Sequence, residues 1–178
     1  MKIYVISGGP GTGKTATINK LRKEFKILPE TARKVANKDK RFIGKSIKQI
    51  NMKDFQNAIF LHQKKTIEKL KKYKPSTNNS IIFSDRGLGD TIAYYKINNL
   101  EIPQEVLEYA KNFRYDEIFI LDFLNFYAQD ELRQENKEEQ KKIHETIIKT
   151  YEELGYKPII IPFSTIKNRT NIIKSYLK

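Results

Sequence analysis

Gly8-Gly9-Pro10-Gly11-Thr12-Gly13-Lys14-Thr15 follows the spacing G-x-x-x-x-G-K-[ST], the P-loop pattern, whose residue types together suit the grip of a polyphosphate. Glycine lets the backbone turn its N–H groups inward, where Cβ atoms would crowd an anion. A helix opening near Lys14 adds its unpaired amides and the positive end of its dipole. Lys14 can then reach β- and γ-phosphates, and the Thr15 hydroxyl can ligate Mg2+. The candidate nucleotide contacts are Gly8, Gly9, Gly11, Thr12, Gly13, Lys14 and Thr15, with ATP or GTP as the phosphate donor. A glycine turn that merely precedes a lysine would need no strand before it and no helix after it, and both are expected here.

The elements that must position this loop follow from apolar spacing. Lys2 to Ile6 reads as a buried strand ending at the glycines, and Ile18, Leu21 and Phe25 mark a helix from Lys14 to Phe25. Lys26 to Pro29 is a second strand with Glu30 at its end, and Thr31 to Ala36 begins a helix. Asn37 to Ile50 is polar, basic and partly loop. Asn51 to Lys72 is a long helix with Phe55, Ile59, Thr66, Ile67 and Leu70 on one apolar side and Gln56 and Gln63 on another. Ile81 to Ser84 is a third strand that stops at Asp85-Arg86-Gly87, followed by helices over Asp90 to Ile97 and Gln104 to Phe113. Glu117 to Leu121 is a fourth strand. Residues 123–140 are polar without a clear period, and Ile143, Ile147, Tyr151 and Leu154 mark the next helix, which Gly155 stops. Pro158 to Ile161 is a fifth strand and Ile166 to Leu177 a closing helix. Strands alternating with helices imply right-handed crossovers and a mostly parallel α/β sheet. In such sheets ligands sit at the carboxyl edge, where Glu30, Asp85-Arg86 and Asp122 are expected.

The P-loop together with Pro29-Glu30-Thr31-Ala32-Arg33, Ser84-Asp85-Arg86-Gly87, Asp90-Thr91 and Ala93-Tyr94-Tyr95 resembles the AAA-domain family of small P-loop proteins. That family includes the ribosylnicotinamide kinase domain of NadR proteins. The Asp-Arg-Gly segment with its downstream Ala-Tyr is also similar to thymidylate kinases, and the Glu ending the second strand to deoxynucleoside kinases. The pattern continues through Asp130-Glu131-Leu132-Arg133, Tyr151 to Gly155, and Ser164 to Arg169. The resemblance implies a three-layer P-loop NTPase fold with strand order 2-3-1-4-5, an acceptor-binding region over residues 37–72 and a lid over about 123–140. It also implies roles. Asp85 would join Thr15 at the metal, and Arg86 would bind acceptor or transferred phosphate. Glu30 would receive or align an acceptor hydroxyl, Arg133 would act from the lid, and Arg169 joins the candidate nucleotide contacts. With Lys14, these give the catalytic candidates Lys14, Glu30, Asp85, Arg86 and Arg133. Each has a plainer reading. Asp85-Arg86 could be a salt bridge capping a helix, Glu30 a helix N-terminal acid, and Arg133 part of an exposed ion-pair cluster with Asp130, Glu131 and Glu135. Gln56 and Gln63 could read a base or sugar, or lie on a solvated face, the reading preferred for them. The resemblance assigns Asp122 no chemistry, and His62 and His144 read as isolated surface or packing residues.

Composition narrows the rest. The 178 residues suit one domain, 1–178, and the chain has no cysteine, so disulfide and thiolate metal sites are excluded. No run approaches the ~18 apolar residues of a membrane span, which makes a cytoplasmic protein without membrane contact the simplest expectation. The net charge of +13 attracts phosphorylated substrates and leaves a nucleic-acid partner open, although a lysine-, isoleucine- and asparagine-rich composition, with lysines scattered along the chain, is the preferred account. Strand ends reading Asp85-Arg86 and Asp122-Phe123 lack the Asp-Glu pair of motor ATPases. The expected activity is transfer of a γ-phosphate to a small nucleoside- or nucleotide-like acceptor. The alternatives are NTP hydrolysis or a nucleotide-dependent switch, and a polynucleotide kinase or nucleic-acid-binding ATPase. Acceptor identity and oligomeric state are not encoded in any short motif.

Overall fold

Strand β1 (Lys2–Ser7) carries only apolar or small residues after Lys2 and Ile3, which fits the centre of a sheet covered on both faces. The computed structural model describes residues 1–72, 80–123 and 134–177. In it β1 lies between β3 (Ile81–Asp85) and β4 (Glu117–Leu121), with β2 (Lys26–Leu28) and β5 (Ile159–Ile161) at the edges, in the order β2-β3-β1-β4-β5. Every neighbouring pair is parallel. The expected fold class and strand order are therefore found. Parallel pairing also brings Ser7, Glu30, Asp85 and Asp122 to one edge of the sheet.

The two faces sort by the alternation of a strand. Tyr4 and Ile6 pack with Ile18 and Leu21 of α1 (Lys14–Leu21) and Ile173 of α7 (Ile166–Ser175). Ile3 and Val5 face the larger core beneath α3 (Met52–Lys72), α4 (Leu88–Ile97), α5 (Gln104–Asn112) and α6 (Gln134–Glu153). A smaller cluster joins Val35 of α2 (Thr31–Lys38) to Phe42, Ala58 and Ile59. Phe42 meets Phe55 edge-on at 5.1 Å, so the polar stretch after α2 is pinned by one buried ring.

Two expectations change. The buried stripe of α3 includes Gln56, Phe60, Gln63, Ile67 and Leu70, so the glutamines lie in the core side of the helix and not on a solvated face. Their spacing of four, three, four and three residues is helical; the polar letters concealed it. Helix α6 begins at Gln134, inside the stretch read as irregular. Residues 134–142 are good helix formers, but they carry no apolar stripe for periodicity to detect. The remainder of the expected lid, with Asp130, Glu131 and Arg133, lies outside the described residues.

Helix α6 reaches the sheet edge through Tyr151, whose ring is fully buried against Gly87 and Gly89. A Cβ on Gly89 would lie 2.5 Å from the Tyr151 ring. Gly89→Ala is therefore expected to cost about 1–3 kcal/mol by overpacking, more than the ~1 kcal/mol alanine gains within a helix. Thermal unfolding checks this: a melting temperature equal to or above that of the parent chain would show that the ring moves aside freely.

Candidate active site

The turn after β1 is built from glycines that no other residue could replace without strain. Gly8, Gly11 and Gly13 have φ of 133°, 75° and 77°, in the region that L side chains avoid. A Cβ on Gly8 would lie 2.7 Å from the Leu121 carbonyl oxygen. Helix α1 opens with Gly13 as its cap and no side-chain cap bond, so its first-turn amides are left for an anion. The Lys14 ammonium lies along the bend, donating to the carbonyls of Gly8 at 2.7 Å and Gly9 at 2.6 Å and to Thr12 Oγ1 at 3.3 Å. Burial, and then the Arg86 charge, lower its pKa to about 8.

Two distant residues support this bend. Arg169 of α7 is 1% exposed. It donates to the carbonyls of Thr12 (2.6 Å), Asp122 (2.8 Å) and Pro162 (3.1 Å). In this arrangement its guanidinium ties the loop to the ends of β4 and β5 from behind. His144 of α6 accepts the Gly9 amide on Nδ1 at 3.1 Å, which corrects its reading as an isolated residue. A lone histidine in a polar helix gives no sequence signal of a contact 135 residues away. His62, by contrast, borders a separate groove with Lys34, Lys38, Arg41 and Lys65.

Asp85 and Arg86 leave β3 beside the loop. Burial, and then the Glu30 charge, raise the Asp85 carboxyl to about 6, while Arg86 and Lys14 oppose them. Asp85, Thr15 and Glu30 border one groove of about 480 Å³ together with Arg22, Arg33, Lys34 and Lys38. A hydroxyl and a carboxylate are the hard oxygen donors that Mg2+ prefers. Among the described residues no group of three or more His, Cys, Asp or Glu side chains could hold a metal ion. Arg86 has φ of 68°, held by its amide on the Ile6 carbonyl at 3.1 Å and by Ser84 Oγ on its own carbonyl at 2.6 Å. Its guanidinium meets Glu30 at 2.9 Å, the Tyr94 hydroxyl at 3.2 Å and Asp90 at 3.5 Å. Glu30 takes a second guanidinium from Arg33 at 2.7 Å. It occupies the cap position of α2 without a side-chain cap bond, so its carboxylate serves the arginines and not the helix end.

Asp90 carries no role in the sequence pattern. It is 2% exposed and accepts from Ser7 Oγ (2.5 Å), the Tyr151 hydroxyl (2.7 Å) and the Gly87 amide (2.9 Å). An acid three residues after a strand-to-helix glycine can return to accept the N-cap amide, as half of a capping box does, and this could have marked it. Beyond Arg86 lies a pocket of about 360 Å³. Glu30, Arg86, Asp90 and Tyr94 stand at its polar end, and Ile50, Met52, Phe55 and Ile59 line its apolar walls. Gln56 (3% exposed) and Gln63 (8%) border it. Gln63 donates to the Gly87 carbonyl at 3.2 Å and accepts from Thr91 Oγ1 at 2.8 Å. Arg133 lies outside the described residues.

A glycine-lined phosphate loop after the central strand, with strand order 2-3-1-4-5 and charged residues at the neighbouring strand ends, defines a P-loop NTPase fold of the nucleotide-kinase type. The AAA domain family matches residues 3–169, and the chain belongs to that family. No curated protein matches the chain. Among solved structures, a NadR protein in complex with NR is 20% identical with a TM-score of 0.69, over 99% of this chain and 51% of that one. The chain thus spans about half the length of that NadR protein. Thymidylate kinase from Candida albicans is 14% identical with a TM-score of 0.65, over 98% and 89% of the two chains. Deoxyadenosine kinase from M. mycoides is 15% identical with a TM-score of 0.60, over 98% of both chains. At these identities the likeness is one of fold. Among the described residues no helix is long and apolar enough to cross a membrane.

The raised Asp85 pKa carries a stability consequence. Its value is about 6 in the folded chain against an ordinary 3.8, so the folded state holds the proton more tightly. That contribution is complete below about pH 4 and is lost as pH rises through about 6. Asp85→Asn should therefore raise stability by about 2 kcal/mol near pH 7 and change it little below pH 4. Urea unfolding at the two pH values tests this, and equal gains at both would refute the burial argument.

Proposed function

We propose that this protein is a magnesium-dependent phosphotransferase that moves the γ-phosphate of ATP or GTP to a small nucleoside- or nucleotide-like acceptor. The observation that carries the reading is the 360 Å³ pocket with Glu30 and Arg86 at its polar end. Glu30 also borders the groove that holds Thr15 and Asp85. Water as sole acceptor would need no cavity of that size with apolar walls, whereas a sugar-and-base acceptor fills one.

In this reading the loop amides and Lys14 hold the β- and γ-phosphates, and Thr15 and Asp85 would hold Mg2+, which neutralises phosphate charge when bound. Arg86 fixes one oxygen of Glu30, and Glu30 aligns the acceptor hydroxyl and takes its proton as the new O–P bond forms and the β–γ bridging bond breaks. Positioning and charge account for most of such a step. Gln56 and Gln63 orient the acceptor along α3. Ribosyl-nicotinamide-like compounds, nucleosides and nucleotides lead the acceptors in this reading. Arg169 acts on the nucleotide through the loop it supports. The acceptor region is 37–72, within a single domain.

Incubation with Mg–ATP or Mg–GTP and an acceptor panel should give a phosphorylated acceptor. Release of γ-phosphate only as inorganic phosphate, whatever acceptor is present, would replace this reading with that of a hydrolase or switch. Glu30→Gln should reduce turnover about a hundredfold or more while leaving triphosphate affinity in place. An equal loss of binding would remove Glu30 from the chemical step. Lys14→Ala should abolish transfer.

A further inference from the structure

The peptide unit joining Gly8 to Gly9 is held at both of its polar ends. Its N–H, on Gly9, donates to His144 Nδ1 at 3.1 Å, and its C=O, on Gly8, accepts from Lys14 Nζ at 2.7 Å. In a planar trans peptide these groups point in opposite directions. Fixing one therefore aims the other. Glycine on both sides leaves the plane free to rotate unless something outside the loop restrains it.

Helix α6 is built to supply that restraint. A Cβ on Gly9 would lie 3.0 Å from the His144 Cβ and 3.1 Å from the Gln140 carbonyl oxygen, so any side chain there would push α6 back by a few tenths of an ångström. His144 is 6% exposed, and its ring lies 4.7 Å from that of Phe123 at the end of β4. To accept the amide, Nδ1 must carry no proton, with the hydrogen on Nε2; an imidazolium presents donors on both nitrogens. Burial lowers the His144 pKa from the usual value, with Asp122 and Glu145 acting upward and Lys14 downward. Lys137, Glu138 and Lys141 of its own helix border the same groove.

We propose that His144 is a positioning residue of the triphosphate cradle: by accepting the Gly9 amide it fixes the Gly8–Gly9 peptide, aims the carbonyl on which Lys14 rests, and couples α6 to the bound nucleotide. This rests on reading Gly8 to Thr15 as that cradle. Protonation turns the acceptor into a donor facing an N–H, so the peptide is released and triphosphate affinity falls as pH drops through the His144 pKa. Asparagine carries Oδ1 on Cγ, where histidine carries Nδ1, and so keeps the acceptor without titrating. Glutamine displaces it by one bond, and leucine removes it.

The test is calorimetric titration of the full chain with Mg2+ and a nonhydrolysable ATP analogue at about pH 8 and about pH 5, on either side of the histidine range. Thermal unfolding of each variant separates loss of fold from loss of binding. At the higher pH His144→Leu and His144→Gln should bind about tenfold more weakly, as a buried donor left unpaired requires, and His144→Asn within about threefold of the parent. Between the two pH values the parent should lose more affinity than His144→Asn, which retains every other titrating group and the same titrating ligand. Parallel pH profiles for parent and His144→Asn would overturn the proposal even if the leucine variant fails to fold. Parental affinity of a folded His144→Leu at the higher pH would also overturn it. Failure of the parent to bind any magnesium–triphosphate complex would instead bring down the cradle reading, and this inference with it.

Discussion

A buried carboxylate with several donors converging on it sets the frame of the candidate site. Asp90 is nearly inaccessible, and a charge so placed is tolerable only when its oxygens are satisfied. Its donors come from β1, from the start of α4, from Arg86 and from α6. The demand for the Tyr151 hydroxyl brings a large ring against the turn after β3, and that ring leaves no room for a Cβ at positions 87 and 89. The same carboxylate meets one nitrogen of Arg86, whose other face grips Glu30, which in turn grips Arg33. Alternating charges thus link α2, the turn after β3 and α4, and hydroxyls from β1 and α6 join at Asp90; loss of Asp90 or Arg86 leaves its partner charge buried and unbalanced.

Electrostatics at the loop run against stability in both directions. Burial pushes Asp85 toward its protonated form and Lys14 toward its neutral one. The two are close enough to feel each other's charge at the turn that would receive a polyanion and its cation. A phosphate chain beside Lys14 and a divalent ion beside Asp85 would each favour the charged form. Such mutual relief is the physical content of calling a site preorganised.

Much of this was legible in the residues, and the remainder was hidden for identifiable reasons. The glycine spacing reads directly because backbone conformation there depends on neighbours in sequence. Strand ends at Glu30 and Asp85 read from apolar runs that stop at a charge, and their common edge follows from alternation of strands with helices. Gln56 and Gln63 did not read as buried, because the groups that meet Gln63, Gly87 and Thr91, lie on another element. His144 and Arg169 reach the loop across 135 and 157 positions, a distance at which no local pattern operates. The first turns of α6 are helical by propensity alone and bury no stripe that a period could reveal.

The rear support from α7 has a bearing on how the protein is made. The loop at residues 8–15 leaves the ribosome well before the guanidinium that clasps Thr12, which belongs to residue 169. The strands flanking β1 are also supplied late, by residues 81–85 and 117–121. Contacts of such long sequence separation form slowly, after much chain entropy has been lost. A nascent chain halted before α7 would therefore expose an unbraced glycine coil, and the bend would gain its rear brace only after residue 169 has been made.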